Sequence, residues 1–168
     1  MIAILTLFII IGLGLIYYLV LKKWIINLII IMIDEDIILN ICLITNLLMI
    51  GISLIIQFIV YPSFQIFDKA FFLKYHRNYM KKMLIIVSPI MILEIVSSTI
   101  LFILSQTKIE ALILFINVLI WLVTFIFIVP IHNSFSKNNN LKKVKKLLNY
   151  NFTRTFLWIF KALIFIYV

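Results

Sequence analysis

A carboxylate in the middle of an apolar run long enough to cross a bilayer constrains this chain more than any other feature. The run is Met83–Leu104 and the carboxylate is Glu94, followed at once by Ser97, Ser98 and Thr99. A lone charge in hydrocarbon is costly, so Glu94 must face protein or water and have a partner there. Apolar residues make up 65% of the sequence and the mean hydropathy is +1.25, against about half apolar in an ordinary globular domain. A soluble core of this size cannot hide that much Ile, Leu and Phe, so lipid has to cover it. The sequence predicts an all-α integral membrane helical bundle with four core transmembrane helices plus an N-terminal apolar helix.

The net charge of +9 raises the question of nucleic acid. Its placement answers against it. Lys69, Lys74, Arg77, Lys81 and Lys82 form one cluster, and Lys137, Lys142, Lys143, Lys145, Lys146 and Arg154 form another. Both abut apolar spans, where basic residues fix orientation and meet anionic headgroups, and no nucleic-acid motif accompanies them. The partner expected from charge is therefore the bilayer surface. The single Cys42 excludes an internal disulfide and reads as a buried thiol.

In chain order, residues 1–33 read as an N-terminal apolar helix and interfacial segment, and residues 34–168 as the bundle. Met1–Leu21 is apolar and stops at Lys22-Lys23, without the basic start and small-residue cleavage site of a signal peptide. Trp24–Ile33 is too short to cross alone; it either extends the first helix or lies along the interface. Met32 is an alternative start. Ile37–Val60 is the next span, closed by Tyr61-Pro62. In it Asn46, Ser53 and Gln57 step by seven and four and share a face.

Asp68–Lys82 reads as a separate interfacial amphipathic helix, with Phe72, His76, Met80 and Met83 on its apolar side and Lys74, Arg77 and Lys81 on another. Met83–Leu104 crosses with an expected kink at Pro89. A Ser105–Glu110 loop follows, and Ala111–Ile131 crosses back with Asn117, Trp121, Thr124 and Ile128 on one face. A polar loop Ser134–Asn140 and a small basic helix Asn140–Asn149 lead to the last apolar segment, Asn151–Val168, interrupted by Arg154 and Lys161. The positive-inside rule places the basic stretches 69–82 and 137–154 in the cytoplasm, which makes this a multi-pass protein of the inner (plasma) membrane.

Counted from the basic side, Glu94 lies eleven residues beyond Met83 and Lys161 ten beyond Asn151, or about 16 and 15 Å at the helical rise. Their equal depth predicts a Glu94–Lys161 contact. Arg154 is shallower and is a candidate to serve Asn133, Gln57 or a ligand anion. His76, His132, Asn133, Asn151 and Arg154 gather at the inner rim. Two histidines can ligate haem iron, or a metal together with a carboxylate, but Glu94 is too deep to join them. No metal is assigned. Phosphate-loop, HExxH, CxxC and GxSxG motifs are missing, and three glycines cannot build a nucleotide cradle.

Several pieces together resemble a group of small bacterial four-span membrane proteins that has no assigned activity. They are Tyr61-Pro62 with Phe64, Tyr75-His76, Pro89 with Glu94, Trp121 with Thr124, Pro130 with His132, and Asn151–Thr155 with Arg154, Trp158 and Lys161. The resemblance implies the four-span fold and leaves residues 1–33 outside it. Where that group commonly has a histidine before Tyr-Pro this chain has Val60, which weakens a histidine-ligand role. Lys161 stands where the group has an arginine, which keeps a cation for Glu94.

Two functions remain open from the residues. One is an intramembrane site for a small amphipathic ligand of the quinone, porphyrin or isoprenoid class, with Glu94, Lys161, His76, His132, Asn151, Arg154, Gln57 and Trp121 as binding candidates. The other is a non-catalytic scaffold or accessory subunit in which those residues only hold helices together.

Overall fold

The structure is a computed structural model that describes residues 20–21, 34–138 and 143–167. The chain divides into two compact units, Met1–Ile37 and Ile38–Val168. Expectations for the N-terminal apolar helix and for the Trp24–Ile33 segment lie outside the described residues, apart from Val20 and Leu21.

Among the described residues every regular element is helical. Helix α1 (Glu35–Ile55) passes through a π-helical turn (Ile56–Val60) into a last α-helical turn, Tyr61–Ser63. Helix α2 (Lys69–Ser105) is followed by α3 (Lys108–Val123), which passes through a second π-helical turn (Thr124–Ile128) into α4 (Val129–Asn138). Helix α5 (Val144–Ile164) ends in a 3₁₀ turn, Phe165–Tyr167. Among the described residues three stretches are long and apolar enough to cross a membrane: Glu35–Ser63, Phe71–Ser105 and Lys108–Phe135.

Several expected boundaries are corrected. Asp68–Lys82 is not a separate interfacial helix; it is the first part of α2, whose 37 residues reach about 55 Å at 1.5 Å per residue. No glycine or proline interrupts that stretch. One buried seam also runs through it, from Phe72, His76 and Tyr79 to Met91, Glu94, Ser98 and Leu101. The helix remains continuous through Pro89. The Ser105–Glu110 loop shrinks to Gln106 and Thr107: Gln106 takes a left-handed conformation (φ 52°) that ends α2, and Thr107 accepts the Ile109 amide to start α3. Helix continues beyond Ile131 to Asn138, and the expected basic helix and last apolar segment are one helix, α5.

The two π-helical turns share a cause. Each ends two residues before a proline, at Tyr61-Pro62 and Val129-Pro130, with the Tyr61 amide donating to Ile56 O and the Val129 amide to Thr124 O. A helical proline supplies no amide and its ring crowds the carbonyl four residues back, so the preceding turn widens instead. Both wide turns pack against α5, as does α3.

The distribution of side chains is inverted relative to a soluble protein. Asn46, Ser53, Glu94, Asn117, Asn151, Arg154 and Lys161 are buried, while Ile44, Leu48, Phe58, Ile85, Ile92, Phe115 and Phe125 are exposed. Helix α5 follows the same rule: Asn151, Arg154, Thr155, Trp158 and Lys161 face inward, and Phe152, Phe156, Phe160 and Leu163 face outward.

Candidate functional site

The depth match of Glu94 and Lys161 is realised as a contact. Lys161 Nζ donates to Glu94 Oε1 at 2.5 Å, with both side chains 1% exposed. Trp158 Nε1 lies 3.1 Å from each carboxylate oxygen. Three further bonds join the remaining helices to this point. Asn46 Nδ2 of α1 donates to the Trp158 carbonyl at 3.2 Å, Ser98 Oγ donates to the Glu94 carbonyl at 2.8 Å, and Asn117 Nδ2 of α3 donates to Ser98 Oγ at 2.8 Å. A buried pair of this kind adds little net stability over an apolar replacement, but losing one member strands the other.

About two helical turns from Trp158 toward the basic side, Asn151 forms a second junction. Its Nδ2 donates to Gln57 Oε1 at 2.8 Å and to the Ser53 carbonyl at 3.2 Å, while its Oδ1 accepts from Arg154 Nη2 at 2.9 Å. Ser53 Oγ also meets Thr155 Oγ1. The polar stripe Asn46, Ser53 and Gln57 is thereby bonded to α5 along its length. Arg154 Nη1 donates to Thr124 Oγ1 at 3.3 Å, and its guanidinium lies 5.0 Å over the Trp158 ring. Gln57 thus reaches Arg154 only through Asn151. Asn133 is exposed and is not a partner of Arg154.

The two histidines are enclosed rather than set at an open rim. His76 is 1% and His132 4% exposed. Their rings stack at 5.3 Å, with His76 Nε2 3.0 Å from His132 Nδ1 and His132 Nε2 3.1 Å from the Tyr61 hydroxyl. Neutral rings satisfy both contacts when Tyr61 donates to His132 Nε2 and His132 Nδ1–H donates to His76 Nε2. Phe64, Phe72 and Phe135 surround the pair within one aromatic cluster. Among the described residues no three His, Cys, Asp or Glu side chains converge as a metal site would require. Met80 packs half-buried on the apolar face that sequence periodicity assigns to it, and Tyr79, three residues after His76, is buried on that face as well.

Between these groups lies a cavity of about 380 Å³, walled by α2 on one side and by the second π-helical turn on the other. Its polar lining consists of Tyr61, Tyr79, Ser88, Trp121, Thr124, His132 and Arg154, set among methionine and aliphatic side chains. The widened turns supply Ile56, Thr124, Phe125 and Ile128 to its wall. Two buried donors on this lining, Arg154 Nε and Trp121 Nε1, have no hydrogen-bond partner among the described residues. Leu84, Ile92 and Phe125 belong both to the lining and to the exposed apolar surface.

Scans against protein-family models, curated proteins and solved structures each return no match. The eight sequence candidates therefore sort by geometry alone. Trp121, His132 and Arg154 line the cavity, and His76 stands behind His132. Glu94, Lys161, Asn151 and Gln57 are engaged in bonds between helices and do not line it. Sequence reasoning missed Tyr61 and Tyr79 as lining residues. Tyr79 was within reach, because Phe72, His76, Tyr79 and Met83 follow steps of four, three and four.

Proposed function

We propose that this chain is a multi-pass protein of a bacterial inner membrane whose four-helix bundle holds a small amphipathic ligand within the bilayer. The fourth crossing in this reading is α5, supported by the outward row Phe152, Phe156, Phe160 and Leu163 opposite its buried polar residues. Asn151, Arg154 and Lys161 are the strongly polar side chains that α5 turns inward. The positive-inside rule then puts the Lys74–Lys82 and Lys143–Lys146 stretches in the cytoplasm.

The observation that carries the ligand reading is the cavity with two unpartnered donors. Its size falls within the range of small-molecule sites, about 300–1,000 Å³, and its make-up of mostly apolar walls with a few convergent polar groups fits them as well. A ligand enters sideways from the hydrocarbon, past Leu84, Ile92 and Phe125, and places an acceptor-bearing head against Arg154 and Trp121. Glu94, Lys161, Asn151 and Gln57 act in the second role foreseen for such residues: they hold the helices in register around the cavity.

The test is a thermal-unfolding titration of the detergent-purified chain with decylubiquinone, protoporphyrin and farnesol. Ligand at a hundred times its Kd stabilises by about 2.7 kcal/mol, so at least one of the three is expected to raise the midpoint. Ser88→Phe, which fills the cavity from α2, is expected to abolish the rise. No rise with any of the three refutes a quinone, porphyrin or isoprenoid alcohol as the occupant, and an equal rise in Ser88→Phe refutes the cavity as the site.

A further inference from the structure

Arg154 is 4% exposed and, among the described residues, has no carboxylate within ion-pair distance. We infer that the cavity takes an anion, the phosphate or carboxylate head of a single-chain lipid acid, seated against Arg154 and Trp121. This deepens the ligand reading above and rests on it.

The count of buried charge is the first reason. Among the described residues the buried ionic side chains are Glu94, Glu110, Arg154 and Lys161. Glu94 is bonded to Lys161 and so compensates that cation. Glu110 stands fourteen residues from Thr124 on the same helical stretch, and Thr124 is where Arg154 makes its contact; the separation along the axis is about 21 Å. One positive charge is thus left over, at Arg154. Its other contacts are the Thr124 hydroxyl, the Asn151 amide oxygen and the face of Trp158, and none of them carries a full negative charge. An isolated buried charge is strongly unfavourable unless it is paired.

The second reason is the sign of the unsatisfied groups. On the cavity lining, the buried atoms without partners are both donors, Arg154 Nε and Trp121 Nε1. The acceptors without partners, on Asn46, Glu110 and Asn117, belong to residues that do not line it. Trp121 and Thr124 lie three apart and so share a face of their helix, which brings the indole donor to the level of the guanidinium's contact. A group that accepts at two points and carries negative charge completes this arrangement. A neutral quinone carbonyl would occupy the donors and leave the charge uncompensated. The apolar rim of Leu84, Ile92 and Phe125 calls for a hydrocarbon tail on the same molecule, which a free inorganic anion lacks.

The test uses the full chain in nanodiscs of phosphatidylcholine, with binding followed by intrinsic tryptophan fluorescence. The probes are farnesyl phosphate and oleate as anionic heads, and farnesol and decylubiquinone as neutral ones. At least one anionic probe is expected to bind tenfold or more tightly than farnesol. Trp121→Phe and Arg154→Lys, followed by probe-dependent thermal shift because the first removes a fluorophore, are expected to weaken the anion several-fold and farnesol by a smaller factor. Binding of farnesyl phosphate but not oleate assigns the head to phosphate, and the converse assigns it to carboxylate. Farnesol binding as tightly as both anionic probes overturns the anion while keeping the site, as does binding of decylubiquinone alone. If no probe binds a chain whose cooperative melting shows it folded, the ligand site itself falls.

Discussion

Replacing Glu94 by alanine removes the acceptor from two groups at once. Lys161 Nζ loses its 2.5 Å contact and Trp158 Nε1 loses both of its 3.1 Å contacts. The ammonium is 1% exposed and so has no route to water without moving the helix. Stranding one member of a buried pair costs about 3–5 kcal/mol, and an unsatisfied indole N–H adds about 1–3 kcal/mol. These overlap, so about 3–5 kcal/mol is expected in total. For a chain of this size that lowers the unfolding midpoint by roughly 6–20 °C. Glu94→Gln keeps an acceptor for Trp158 and is expected to cost less. Adding Lys161→Met to Glu94→Ala removes the stranded charge and is expected to recover at least about 2 kcal/mol. The assay is thermal or denaturant unfolding of the wild type, Glu94→Ala, Lys161→Met and the double variant in one detergent, read as a double-mutant cycle, with Glu94→Gln melted beside them. A double variant no more stable than Glu94→Ala alone would mean that the two groups do not support each other, and the reasoning would fail.

Asn151→Ala is expected to destabilise more than Gln57→Ala, because it releases Ser53, Gln57 and Arg154 together; parallel melts showing the reverse order would remove Asn151 as the junction. Gly51 lies mid-helix with nothing within 4 Å of where a Cβ would sit, so Gly51→Ala is expected to gain about 0.5–1 kcal/mol. A loss there would show that this face packs against another molecule. Cys42 is 2% exposed, so maleimide labelling is expected to proceed only at the rate of unfolding; rapid labelling of the folded chain contradicts its burial. In a Cys42→Ser background, Tyr167→Cys is expected to react with an impermeant reagent from outside intact cells and Lys146→Cys only after permeabilisation. Reaction of both from one side would show that α5 does not cross.

Much of this architecture is legible in the amino-acid order because lipid is an unforgiving solvent. A crossing needs about 20 contiguous apolar residues, which marks α1, α2 and α3. A polar side chain within such a run must turn inward, so the stripe Asn46, Ser53, Gln57 and the pair Glu94–Lys161 follow from period and rise alone. What depends on packing was not legible. Whether Asp68–Lys82 lies flat or continues into α2 depends on tertiary contacts along the Phe72–Tyr79 face, because both forms are the same amphipathic helix. A proline can end a helix, bend it or widen the turn before it; here Pro62 and Pro130 widen the turn, whereas α2 runs on through Pro89. The sequence by itself determined which segments are apolar enough to cross a membrane and which polar groups must find partners, since both follow from the cost of desolvation along a single helix. Only the tertiary structure decided which partners they found, and that Arg154 and Trp121 were left facing a cavity, because an empty space is a property of several helices packed together and is written in none of them.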